Sequence, residues 1–263
     1  MFEEIIANFP HFTLVAARCF ALIMTTPVLS TPTVSRMAKI ALAGFMAFLA
    51  LPTATLQNWQ ISNYNLEFLL LLIGEGLIGV ITGLFVTLIF AAFSSAGQFF
   101  TYQMGFGASE VYDALAQVEN PLMGQFFNLV AILIFLETDC MQTLFLGGFF
   151  RSIESINAFT LVGMKEHFVQ FLLSGLTDLF FDAMLISLPI MGTLFLISLS
   201  TGILSKAAPQ MNLLSEGFPI TIMCAFFLII ILLPMMINFF SASFDRAFLK
   251  LETLFATVIP GGI

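Results

Sequence analysis

Six long apolar runs, centred on residues 12–29, 38–56, 66–100, 122–149, 168–204 and 212–240, occupy most of this chain. A helix needs about 20 predominantly apolar residues to cross the hydrocarbon core of a bilayer, and these runs are close to that length or longer. Only 8 Lys and Arg and 16 Asp and Glu are present, 9% of 263 residues, against about 25% in an ordinary soluble domain. With 59% hydrophobic residues and a mean hydropathy of +1.04, the chain lacks the polar side chains that a water-facing surface of this size requires. The pattern predicts an integral membrane protein. Lipid offers no partner to unpaired backbone, so the runs are expected to be helical and the fold all-α, with about six long apolar segments. The third run carries Gly74, Gly76, Gly79 and Gly83, and the fifth Pro189 and Gly192; both exceed one straight crossing and are expected to kink or split.

Charge and motif content exclude several functions. A net charge of −8 and the absence of any Lys/Arg cluster argue against nucleic acid, whose binding depends on cations that displace phosphate counterions. Cys19, Cys140 and Cys224 lie far apart in apolar runs, without the spacing of a metal or disulfide framework. The acidic N-terminus, MFEEIIANFPHF, lacks the positive region of a secretory signal, so the first run is expected to be retained. Of two histidines, His11 and His167, the second follows Glu166, but no further histidine lies four residues away to form a zinc helix. Tyr112-Asp113 matches half of an intramembrane aspartyl protease pattern, and the GxGD half is absent. Neither a GxSxG turn nor a phosphate-cradling GxxxxGK[ST] occurs. No catalytic, metal or cofactor-binding residue is expected, and binding or transport is favoured over catalysis.

The polar residues inside apolar runs carry the remaining information. Arg18 and Glu75 are each costly to bury alone, about 2.5 to 3.5 kcal/mol for a mid-helix Arg on the insertion scale. A mutual ion pair relieves both; so does a position at a segment end or beside a wet cavity. Asp178 and Asp182, four residues apart, share a helical face and repel unless a partner, water or a segment end relieves them. Gly79 and Gly83 form a GxxxG, extended back through Gly76, that admits a neighbouring helix. Beyond residue 240, Phe244, Phe248, Leu251 and Phe255 recur at helical spacing among Asp245, Arg246, Lys250 and Glu252. The pattern divides the chain into a single domain, 1–240, and an amphipathic C-terminal helix and tail, 241–263, lying on a membrane or a partner.

Alternating six helices fails the charge test of orientation. One side receives Arg36, Lys39 and Lys206, the other Arg151, Lys165, Arg246 and Lys250, which is no positive-inside signal. Either the segment count is wrong or protein covers part of the apolar surface.

Between the last two runs, Gly202 to Ile220 reads GILSKAAPQMNLLSEGFPI, unusually polar and broken by Pro209. This stretch closely resembles the signature of the FliR/SctT family, export-gate components of flagellar type III secretion and of injectisomes. Similar matches run in order along nearly the whole chain, from about residue 10 to 240. They are Arg18, Pro27, Pro32 and Arg36; Glu75-Gly76 with Gly79; Ala96-Gly97-Gln98; Gln103-Met104-Gly105; Asp113; and Pro121 to Phe126. The APQMN and GFP pieces look more like flagellar members. Departures are Ala114 after Asp113, Thr138-Asp139-Cys140 where Asn-Gly-His is common, Lys206 where Arg is usual and Glu216 where an apolar residue is usual.

The resemblance implies a non-enzymatic subunit of the flagellar protein export gate in the bacterial inner membrane, within the basal body. It implies one copy assembled with FliP and FliQ and wrapped by FlhB, with exported flagellar proteins as cargo. Its fold would be bent helical hairpins resembling a FliP joined to a FliQ, lifted largely out of the bilayer, which would account for the failed charge count. A channel plug is expected at 105–121, with Gly105, Phe106, Gly107, Val111, Tyr112 and Asp113. A signature turn is expected at Pro209, Gln210, Met211 and Asn212, with Gly217, Phe218 and Pro219. Two other functions stay open at this level: a secondary transporter for small solutes built on broken helices, although no repeat of the two halves is visible, and a scaffold that only anchors partners.

Overall fold

A computed structural model of the chain describes residues 9–55, 66–105, 122–207 and 217–258. Among them the regular structure is entirely helical: α1 (Phe9–Thr25), the short α2 (Pro27–Ser30), α3 (Arg36–Thr55), α4 (Leu66–Met104), α5 (Leu122–Glu137), α6 (Cys140–Thr143), a π-helical stretch (Leu144–Phe150), α7 (Arg151–Ser155), α8 (Ala158–Gly163), α9 (Lys165–Ala207) and α10 (Phe218–Val258). Four segments are long and apolar enough to span a membrane, at 36–54, 66–104, 165–207 and 218–256, and a fifth if α5 and the helical stretch from Cys140 to Ser155 are counted as one broken span. The chain is therefore an all-α, multi-pass membrane protein, and six is an approximate count of its apolar runs. Neither of the two longest runs is split: α4 passes its glycines, and α9 passes Pro189, as continuous helices.

The chain forms two compact units. The first comprises Met1–Ile89, Asp139–Leu176 and Phe244–Ile263; the second comprises Phe90–Thr138 and Thr177–Ser243. In the first, Val15, Cys19 and Ile23 of α1 pack on Ala43, Ala47, Ala50 and Ala54 of α3, together with Phe149 and Ile153. The alanines recur at intervals of three and four, so they form one narrow stripe that lets two helix backbones approach. Away from this stripe α3 exposes Met37, Ile40, Phe45 and Phe48, as a helix solvated by lipid should.

Pro27, which has no N–H to lose, opens α2, and the helix ends at Ser30, after four residues. Lys39, counted above as a loop cation, lies within α3 and is buried; its Nζ donates to the carbonyls of Ser30 (2.9 Å) and Thr31 (3.1 Å). An ammonium there meets the carbonyls at the C-terminal end of the short helix, of which that of Thr31 also accepts the Val34 amide at 3.2 Å.

The second unit is built on aromatic packing. Phe93 stacks on Phe240 at 3.9 Å between ring centroids, Phe127 meets both Phe100 (5.5 Å) and Phe240 (6.1 Å) edge-on, and Phe90 lies 5.4 Å from Phe135. The residues expected to begin a separate amphipathic helix at 241 instead continue α10 without a break to Val258, and Phe244, Phe248, Leu251 and Phe255 are buried by the chain itself.

Asp139 adopts φ 54° and ψ 18°, and it is the only non-glycine with positive φ among the described residues. Its sequence neighbours are the Thr138-Asp139-Cys140 departure from the Asn-Gly-His pattern, so the left-handed turn that ends α5 is made here by aspartate rather than glycine. Aspartate tolerates this conformation, whereas a β-branched residue is excluded by its Cβ substituents. Asp139→Gly is expected to leave the thermal midpoint of the detergent-extracted protein unchanged or raised, and Asp139→Val to destabilise it by about 1 to 2 kcal/mol.

Candidate functional site

Glu75, Gly79, Gly83 and Thr87 follow one another at intervals of four along α4 and form a single stripe facing α1. Gly79 lies directly against the carbonyl oxygen of Arg18, and the nearest carbon of Ala21 is 3.0 Å from where a Cβ would stand. Gly83 lies likewise against the hydroxyl of Thr25 and the carbonyl of Leu22. One turn further, Thr87 Oγ1 lies within donating distance of the Thr25 carbonyl (2.7 Å) at the end of α1 and of the Gly83 carbonyl of its own helix (2.9 Å). The two glycines thus bring the backbones into contact, and this places the Arg18 side chain beside Glu75, one turn before Gly79. Gly76 has open space where its Cβ would be, so it takes no part in this seam.

Arg18 and Glu75 are both 1% exposed. Arg18 Nε donates to Glu75 Oε2 at 2.7 Å, and Nη2 pairs with the same oxygen. Nη2 also donates to the Ile156 carbonyl (2.7 Å) and Nη1 to Ser152 Oγ (3.1 Å), whose own hydroxyl donates to the Phe149 carbonyl (2.7 Å). The second carboxylate oxygen, Oε1, accepts the amide of Ala158 at 2.9 Å. Ile156 is extended (φ −132°, ψ 135°), which ends α7 and frees its carbonyl, and Ala158 is the first residue of α8, whose amide has no partner inside that helix. Gly74 makes room for α8, since a Cβ at that position would stand 2.6 Å from Ala158 Cβ. One buried ion pair therefore satisfies backbone groups that the break between α7 and α8 exposes. The polar groups of this arrangement are engaged with one another across α1, α4, α7 and α8, which makes it a structural lock.

The other expected residues divide into two groups. Gly105, Gly217, Phe218 and Pro219 are in the described structure: Gly105 ends α4 with φ 91°, Phe218 opens α10, and Thr221 Oγ1 donates to the Gly217 carbonyl at 2.8 Å. Phe106, Gly107, Val111, Tyr112 and Asp113 of the expected plug, and Pro209, Gln210, Met211 and Asn212 of the expected turn, lie outside the described residues.

Sequence reasoning missed Ser152, Ile156 and Ala158, because two of the three contribute backbone groups, which carry no sequence signal. It also missed Thr87, although the four-residue spacing from Glu75 was readable. In the second unit Gly97 packs on the backbone of α5, with a would-be Cβ 2.6 Å from the Met123 carbonyl and 2.7 Å from the Gly124 amide. Asp182, buried in α9, accepts a short hydrogen bond from Ser243 Oγ of α10.

Residues 9–247 match the family described as bacterial export proteins, family 1. The chain belongs to this family. Among its relatives, the flagellar biosynthetic protein FliR of Bacillus subtilis is 31% identical over 232 residues, covering 87% of this chain and 88% of that one. The FliR of Borreliella burgdorferi is 34% identical over 208 residues, or 78% and 75% of the two chains. A surface presentation of antigens protein, SpaR of Shigella sonnei, is 30% identical over 165 residues, 61% of each chain. The family match starts at the first described residue of α1 and ends within α10, so the ion pair, the glycine seam and both ends of the signature segments fall inside it.

The lock can be tested by a double-mutant cycle. Arg18→Leu or Glu75→Leu alone should destabilise the detergent-extracted protein by about 3 to 5 kcal/mol, because each strands a buried charge. Arg18→Leu with Glu75→Leu should cost clearly less than the sum of the two single changes, as read from thermal unfolding. Additive losses would mean that the two residues do not stabilise one another.

Proposed function

We propose that this chain is a non-enzymatic subunit of the gate through which flagellar proteins are exported, seated in the bacterial inner membrane at the flagellar basal body and assembled with FliP, FliQ and FlhB. The observation that carries this reading is the similarity to proteins named FliR over 87% and 78% of this chain, at 31% and 34% identity, together with the export family match over residues 9–247. The geometry agrees with it: the polar groups buried in the first unit are spent on holding helices together, as expected of a subunit whose work is done by shape and assembly. A second reading, a gate subunit of an injectisome, draws on the similarity to SpaR, which covers 61% of the chain. The longer matches to flagellar proteins favour the first.

In this reading the segment from Gly105 to Pro121 contributes to closure of the export passage. Phe106, Val111 and Tyr112 supply apolar bulk and Gly105 and Gly107 supply freedom to bend, while Glu110, Asp113 and Glu119 need water or hydrogen-bond donors. The segment from Pro209 to Asn212 joins α9 to α10, with Gln210 and Asn212 bonded to backbone or to neighbouring subunits.

Removing the whole chain should abolish swimming and the secretion of flagellar proteins; persistence of both would refute the export role. Deleting Glu110 to Gln117 should leave complexes that assemble but make the cells leaky to small ions. Assembled complexes as ion-tight as wild type would show that this segment does not seal the passage.

A further inference from the structure

Two short motifs that the family resemblance singled out, Gln103-Met104-Gly105 and Gly217-Phe218-Pro219, lie far apart in sequence and meet in the second unit. Gly105 follows the last residue of α4 in a conformation, φ 91°, that L side chains rarely adopt. Its amide donates to the Tyr102 carbonyl at 3.1 Å, closing the final turn of the helix. The side of Gly105 that lacks a Cβ is covered by the ring of Phe218: a Cβ there would collide with Cδ1 and stand 2.8 Å from Cε1. The glycine is thus favoured by its backbone, and a Cβ there would also displace the ring against it.

Phe218 is 39% exposed, and it is the backbone on either side of it that is held in place. Pro219 fixes the backbone directly after Phe218, the Thr221 hydroxyl bonds the Gly217 carbonyl at 2.8 Å, and Thr221 is buried. On the α4 side, Met104 and Thr101 are buried, and Thr101 Oγ1 returns a 2.6 Å bond to the Gly97 carbonyl. Gly97 packs in turn on the backbone of Met123 and Gly124. A continuous chain of contacts therefore runs from α5 through the end of α4 to the start of α10.

We infer that Phe218 is a positioning residue: its ring seats on Gly105 and clamps the end of α4 to the start of α10, and the export function depends on that clamp. The functional half of this inference rests on the export-gate reading, while the clamp itself is a property of the chain. Phe218→Ala removes the ring and should lower flagellar protein secretion several-fold. Phe218→Tyr keeps the ring and should restore secretion, which loss of bulk elsewhere in the helix would not predict.

Gly105→Ala introduces both the unfavourable backbone and the collision, so its defect should be large. Combining it with Phe218→Ala removes the collision, and the double variant should be no worse than Gly105→Ala alone, both in secretion and in the melting temperature of the extracted protein. Defects that multiply in the double variant, or a Phe218→Ala chain that secretes like wild type, would overturn the inference. Deleting the chain in the same strain keeps the two ideas apart: secretion that survives the deletion refutes the export-gate reading, whereas secretion lost on deletion but intact in Phe218→Ala refutes the clamp.

Discussion

An arginine and a glutamate with almost no access to solvent cannot remain in an apolar helix packing unless each satisfies the other, and the first unit is organised around this requirement. Arg18 can reach Glu75 only because α1 and α4 touch at Gly79 and Gly83. Once formed, the pair has donors and an acceptor to spare, and these are taken up by Ser152, the Ile156 carbonyl and the Ala158 amide. The break between α7 and α8, which would otherwise bury unsatisfied backbone groups, is thereby tolerated. A buried ion pair is weak evidence of net stability by itself. Here its effect is to fix which helices are neighbours and where the chain may leave helical geometry.

Much of the fold was legible because bilayer physics is severe. Apolar length and scarce charge led directly to an all-α membrane protein, and isolated charges in apolar runs pointed to Arg18 and Glu75 as groups in need of partners. Boundaries were less legible. Pro189 is an interior residue of α9, because a helix can lose one backbone bond when neighbouring groups compensate. The phenylalanine repeat beyond residue 240 has the period of a surface amphipathic helix, yet the same period serves a helix that the chain buries, and periodicity cannot tell a membrane or a partner from the chain itself on the apolar side.

Glycine was the least readable signal. Gly76, Gly79 and Gly83 look alike in sequence, but the face of a helix turns by 100° per residue, so only the residues in step with Glu75 meet α1. The family resemblance marks Gly97, but its spacing does not reveal its partner, the backbone of Met123 and Gly124. Lys39 illustrates the corresponding problem for charge. Counting it as a loop cation assumes that it faces water, whereas its ammonium is bonded to the carbonyls of Ser30 and Thr31. Simple bookkeeping of cations across a bilayer is thus a poor guide to this chain, whose polar groups are largely used to connect its own elements.

A subunit built in this way is expected to act through assembly. The central claim, that the chain works as one part of a multi-subunit export gate, is tested most directly by native mass spectrometry of the complex extracted from cells in mild detergent. The account predicts one copy of this chain bound to several FliP and FliQ subunits. A lone monomer, or a dimer of this chain without them, would contradict it and favour an independent transporter.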